Sequence, residues 1–180
     1  FHAVFTDDAM AAVGGDWGIT AVSLRSPTAR DELAPQSGAY TAVKLSKDGQ
    51  DPRVISAVTD VLVAPENPTA VLDIMADPAV RVTSLTITEK GYCHAPATGQ
   101  LDLRHPDIVH DLANPDAPRS AIGFLVSALA RRRAAGIAPF TVLSCDNLPS
   151  NGALSRQVVL DFARAYSVEL AEWIATHVTF

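Results

Sequence analysis

Short β-rich runs alternate with stretches of helical period along this chain, and that alternation constrains the fold more than any single motif. "WGITAVSL" (17–24), "VRVTSLTI" (80–87) and "FTVLSCD" (140–146) each read as a strand. "AVFTDDAMAAVGG" (3–15) reads as a helix closed by its glycines, and "SPTARDELAP" (26–35) as a short helix with Ser26 as cap and Pro27 at its first position. Further helices are expected over 67–78, 120–136 and 151–178, the last with a bend near Ser167. In 120–136, Ile122, Leu125, Val126 and Leu129 share one face and Gly136 ends the pattern. Residues 39–64 hold two strand-like runs about "KDGQD" and read as a hairpin. Strands that alternate with helices pair in parallel, so the expected fold is α/β, with 17–24, 80–87 and 140–146 in one mostly parallel sheet and the hairpin added to it.

The chain has 180 residues, with 14 Lys+Arg against 20 Asp+Glu, a net charge of −6. That length supports one domain with a real core. The charge excludes a general nucleic-acid binder, which needs a basic face against phosphates. The one basic run, "ARRRAAG" (130–136), falls at a helix end, where cations complement the helix dipole. No apolar run approaches the roughly 20 residues of a membrane span. Cys93 and Cys145 lie far apart beside apolar strands and outside any CxxC pair, which favours a reduced, cytoplasmic protein. Both chain ends, "FHAVFTDDAM" and "ATHVTF", suggest a piece of a longer protein.

In open α/β sheets, ligands bind beyond the carboxyl ends of the strands. Two polar stretches follow strands directly: "TEKGYC" after Ile87 and "CDNLPSNG" after Leu143. Asn147 either donates its amide to an oxygen that gains negative charge in a transition state or bonds its own backbone in a turn. Asp146 either holds a ribose hydroxyl or braces the loop, and Asn151 reads as a helix N-cap. Lys90 is expected to be solvated or bound to a phosphate or carboxylate rather than catalytic. Gly91 is expected to allow a sharp turn or a close approach to a ligand. Cys93, His94, His105 and His110 match no recurrent zinc spacing, so no metal is expected. Residues 88–120, rich in proline, glycine and charge, read as a long functional loop. No GxGxxG, GxxxxGK[ST] or GxSxG occurs, so a glycine loop for a nucleotide would have to precede residue 1.

"SLTITEKGYC", "HPDIVHDLANPDAPRSAIGFLVSALARRRAAG" and "FTVLSCDNLPSNG" resemble the polyol-specific long-chain dehydrogenases, the family of mannitol 2-dehydrogenase and of the fructuronate and tagaturonate reductases. "FTDDAM", "GDWGITAVSLRSP" and "RDELAPQSGAYT" carry the same resemblance, which spans nearly the whole chain in the family's order. It implies a Rossmann-like doubly wound domain over 1–180 that lacks its first strand and Gly-rich turn. Of that turn, Phe1-His2 would be the end. A helical substrate domain supplying a catalytic lysine would lie outside the chain.

The activity so implied is NAD-dependent hydride transfer between a sugar alcohol or aldonate and its ketose or keto-acid. The resemblance assigns Asn147 to polarising the substrate oxygen. Phe1, His2, Arg25, Thr88, Glu89, Lys90 and Asp146 are the residues expected to hold the cofactor. Arg25, where an acid often meets the ribose, leaves NADP open. The expected partner is a polyol, ketose or hexuronate, with neither nucleic acid nor membrane involved. A non-catalytic module derived from a nucleotide-binding domain is the alternative reading.

Overall fold

The computed structural model describes residues 2–47 and 49–180, and it divides into two compact units, Phe1–Asn67 and Pro68–Phe180.

In the first unit, helix α1 (His2–Val13) stops where Gly14 and Gly15 turn to φ values of 72° and 125°, as the paired glycines predict. Strand β1 (Ile19–Ser23) runs parallel to β4 (Val58–Val63), from Thr20 opposite Asp60 to Ser23 opposite Val63. Between them come α2 (Thr28–Leu33) and the antiparallel hairpin of β2 (Tyr40–Ser46) and β3 (Gly49–Ile55). The Ser26 hydroxyl accepts from the Thr28 amide at 3.2 Å, so α2 starts one residue later than its proline suggests. Ile55, Ala57, Val58, Val61 and Ala3 form a small core, packed by Ile19, Ala21, Leu33, Tyr40 and Ala42. Gly38 is required here: it sits at φ 81°, and a Cβ would lie 2.1 Å from the Val58 carbonyl oxygen. Arg53 on β3 pairs with Asp7 and Asp8 of α1.

The second unit contains α3 (Pro68–Ala76), β5 (Val82–Leu85), α4 (Thr88–Gly91), α5 (Pro106–Ala113), α6 (Ala121–Ala134), β6 (Thr141–Ser144), α7 (Asn151–Tyr166) and α8 (Val168–His177). Strands β5 and β6 pair in parallel, Val82 opposite Thr141 through Leu85 opposite Ser144. The core comes from the apolar faces of α3, α6, α7 and α8 and includes Ile122, Leu125, Val126 and Leu129. The helical pattern over 151–178 breaks at Ser167, whose extended backbone ends α7 and whose hydroxyl accepts from Leu170 N at 3.2 Å to cap α8. No helix of the described residues is long and apolar enough to cross a membrane.

Four expectations need correction. The single parallel sheet is found as two parallel pairs, because β1 takes β4 as its ladder partner and β5 takes β6. Strand β4 was hidden in the stretch read as hairpin alone: its apolar run follows the hairpin after only Ser56 and Ala57. Residues 88–120 are not one loop but contain α4, α5 and a bridge between His94 and Leu101. His105 and Pro106 start α5, since the imidazole accepts from Asp107 N and proline takes the first position. Finally, the basic run is not merely a charged helix end. Arg131 pairs with Asp73 and Asp116, whereas Arg132 is buried and donates to the carbonyls of Met75, Asp77 and Ala138.

Candidate functional site

The carboxyl ends of β5 and β6 lie side by side, because the last register pair is Leu85 with Ser144. Both polar stretches therefore leave the ladder at the same edge. The Cys145 amide continues the pairing by donating to Leu85 O at 2.9 Å, and the chains then diverge.

Asp146 joins them. Its Oδ1 accepts from Thr88 N at 3.0 Å, and its Oδ2 accepts from Ile87 N at 3.2 Å and from the Tyr92 hydroxyl at 2.8 Å. Successive amides can point at one anion only when the backbone between them turns in, as it does at Ile87 with φ −116° and ψ 1°. Thr88 then follows at φ 63°, in the left-handed region that non-glycine residues seldom occupy. Tyr92 is fully buried and its hydroxyl also meets Ser144 Oγ at 2.6 Å. Burial, more than the neighbouring Asp146 carboxylate, pushes its pKa up to about 12. The hydroxyl thus keeps its proton and serves the carboxylate as a donor. Burial, helped by Asp146, also pushes the Cys145 thiol up.

The backbone of Asp146 is held as tightly as its side chain. Its carbonyl accepts from Leu148 N at 2.9 Å, a three-residue turn with Asn147 at the apex, and from Asn151 Nδ2 at 2.8 Å. Asn151 Nδ2 also reaches Ser144 O at 3.2 Å. Asn151 is consequently the first residue of α7 rather than its N-cap. Ser150, at φ 51°, takes the cap position without a side-chain bond, because the Asn151 amide is spent on the carbonyls of the strand exit.

Asn147 itself is exposed, and among the described residues its side chain has no hydrogen-bond partner. The turn is closed by main chain alone. Its amide is left to offer two N–H donors and a carbonyl to whatever sits on this edge.

Thr88, Glu89 and Lys90 form the exposed turn of α4 on the same edge. Asp146 stands among them, but its carboxylate already receives three donors, which favours the bracing role over a ribose contact. Gly91 is needed for a reason other than the one expected. Its φ is ordinary, and an added Cβ would lie 2.8 Å from Ile87 Cβ, so it makes room for a neighbouring side chain rather than for a ligand. Arg25 follows β1 in the first unit. Phe1 and the His2 side chain lie outside the described residues.

The histidines disperse. His105 caps α5, His110 Nδ1 lies 3.0 Å from the buried Asp111, and His94 Nε2 lies 4.0 Å from Glu89. Tyr92 and Ser144 are the site residues that sequence reasoning missed. A tyrosine inside a charged, glycine-bearing stretch was the available signal, since its hydroxyl needs a polar partner when the ring is buried.

The family model described as the mannitol dehydrogenase Rossmann domain matches residues 1–180. A mannitol 2-dehydrogenase of Phaeosphaeria nodorum is 45% identical over 167 residues, covering 92% of this chain and 29% of the relative. A D-mannonate oxidoreductase of Escherichia coli K12 is 41% identical over 184 residues, covering 99% of this chain and 38% of the relative. The Pseudomonas fluorescens mannitol 2-dehydrogenase, solved as a ternary complex with NAD and D-mannitol, superposes with a TM-score of 0.94 at 45% identity, covering 99% of this chain and 37% of that one. The chain thus spans well under half the length of the relatives it matches.

Proposed function

The chain belongs to the mannitol dehydrogenase family, as its Rossmann domain, and from that premise we propose that the whole protein is an NAD-dependent oxidoreductase. Its reaction interconverts a sugar alcohol or aldonate with the corresponding ketose or keto-acid, of the mannitol/fructose or mannonate/fructuronate kind. The observation that carries this reading is Asn147: an amide with no intramolecular partner among the described residues, held at the shared carboxyl edge of β5 and β6. The names of the relatives, mannitol 2-dehydrogenase and D-mannonate oxidoreductase, support the substrate class. The complex of a structural neighbour with NAD supports the cofactor.

Bound NAD supplies a two-electron acceptor for the hydride of the carbinol carbon. What this chain contributes is orientation and charge stabilisation. The Asn147 amide donates to the substrate oxygen and gains strength as negative charge grows there. Thr88, Glu89 and Lys90 are the second unit's candidates for cofactor contact, and Arg25, with Phe1 and His2, the first unit's. The carbinol proton needs a base. We assign it to a lysine of a helical substrate domain outside this chain, with the first strand and Gly-rich turn of the fold also outside it. The acidic balance and the cysteine usage support a cytoplasmic enzyme acting on small molecules.

The test is a substrate screen on the full-length protein with mannitol, fructose, mannonate, fructuronate and tagaturonate, each with NAD(H) and NADP(H), following reduced-nicotinamide absorbance. Turnover with one of these pairs, more efficient with NAD, is the expected result. A higher kcat/KM with NADP would assign Arg25 to a 2′-phosphate. Nicotinamide binding without turnover on any of them would favour the non-catalytic module.

A further inference from the structure

We propose that Asp146 is a positioning residue, whose carboxylate clamps the exit of β5 to the exit of β6 so that the Asn147 amide is aimed. The proposal rests on the oxidoreductase reading for its kinetic consequence, but the clamp itself stands on geometry.

Among the described residues nothing bonds the Asn147 side chain to hold its direction, so its aim is set by the peptide that carries it. That peptide is fixed from two sides. On one, the Asp146 carbonyl accepts from Leu148 N and Asn151 Nδ2. On the other, the Asp146 carboxylate accepts from Ile87 N, Thr88 N and Tyr92 Oη, all from the neighbouring strand's exit. The second set reaches across the ladder. It also brackets Thr88, bonding its amide and the Tyr92 hydroxyl beyond it, and the left-handed conformation of Thr88 costs free energy and persists only where surroundings over-determine it. Glu89 and Lys90 follow directly in the exposed turn of α4.

Only a carboxylate can do this. An asparagine at 146 would turn an –NH₂ either toward Thr88 N–H or toward Ile87 N–H, and in each orientation a donor faces a donor. Asp146→Asn therefore keeps the volume and loses at least one strand-crossing bond.

The experiment uses the full-length protein with Asp146→Asn, Asn147→Ala and the double variant, assayed for kcat and for KM of both substrates. Asp146→Asn is expected to lower kcat roughly ten- to a hundredfold, the scale of a small misplacement, with little change in the KM for NAD. In the double variant kcat should fall no lower than in Asn147→Ala alone, because an amide that is absent cannot be misaimed. Ser120→Ala, at the remote cap of α6, serves as the stability control and should leave kcat unchanged. Independently of turnover, amide exchange at 87–92 and 146–148 should quicken in Asp146→Asn. Exchange unchanged from wild type there would overturn the clamp. Quickened exchange with wild-type kcat, or losses in the two single variants that multiply in the double, would overturn its role in aiming Asn147. A raised KM for NAD with unchanged kcat would instead make Asp146 a cofactor contact. A wild-type protein that turns over none of the substrates would remove the oxidoreductase reading, and the exchange result alone would then decide the clamp.

Discussion

Asp146 and Thr88 are 58 residues apart in the chain and 3.0 Å apart in the fold, carboxylate to backbone amide. That contact draws the polar end of one strand onto the polar end of its neighbour. It leaves Asn147, the next residue, at the apex of a turn closed by main chain.

The two asparagines of this stretch, Asn147 and Asn151, should respond differently to truncation. In the full-length protein, Asn147→Ala should cut kcat by about 10²–10³ while leaving the unfolding midpoint near wild type, because the lost donor acts mainly in the transition state. Asn151→Ala removes bonds to the carbonyls of Ser144 and Asp146 and should cost roughly 1–2 kcal/mol in urea unfolding. An Asn147→Ala protein with full turnover and a lowered midpoint would make Asn147 a structural turn residue.

Tyr92 gives the fold an alkaline limit. Its folded pKa, raised to about 12 chiefly by burial, lies above the value near 10 expected for an unfolded tyrosine. A group whose folded pKa is raised contributes stability that is whole below about pH 10 and is lost as pH rises through 12. Stability curves of wild type and Tyr92→Phe between pH 8 and 12 should converge as pH rises. Parallel curves would show that the hydroxyl is not buried against Asp146 and Ser144.

Gly123 tests the sign of a common substitution. In a helix interior Gly→Ala usually stabilises by roughly 0.5–1 kcal/mol. Here the added Cβ would lie 2.2 Å from Asp111 Oδ2. That carboxylate is itself buried and accepts from Arg119 N, Ser120 N and Ser120 Oγ. Gly123→Ala should therefore destabilise by about 1–3 kcal/mol in chemical denaturation, and a gain in stability would refute the contact.

Arg132→Met should cost roughly 2–4 kcal/mol in the same assay. It preserves much of the apolar stem but leaves the carbonyls of Met75, Asp77 and Ala138 without their donor and removes the guanidinium from the Phe140 ring, 5.4 Å away. Arg133→Met, on an exposed side chain of the same run, should change stability by less than about 0.5 kcal/mol.

Local signals carried much of this molecule. The helical period of 120–136, the glycines closing α1 and the break at Ser167 are properties of a few neighbouring residues, and each is found where the residues put it. The two polar stretches at one edge were legible too, because parallel pairing forces consecutive strand ends to the same side. Other features were decided only by chain segments distant in sequence. Strand β4 chose β1 across some 40 residues, and no local pattern encodes a partner. Asn151 looked like a cap because asparagine caps helices, yet its amide went to Ser144 and Asp146. Arg132 looked like one of three surface cations until the carbonyls of α3 and of the chain after α6 were placed around it. Propensity and period act over a turn or two of chain, while a hydrogen bond is awarded by whichever donor folding brings to about 3 Å. For that reason the sequence alone could name Asp146 and Asn147, and only the tertiary structure could separate the residue that holds from the residue that is held out.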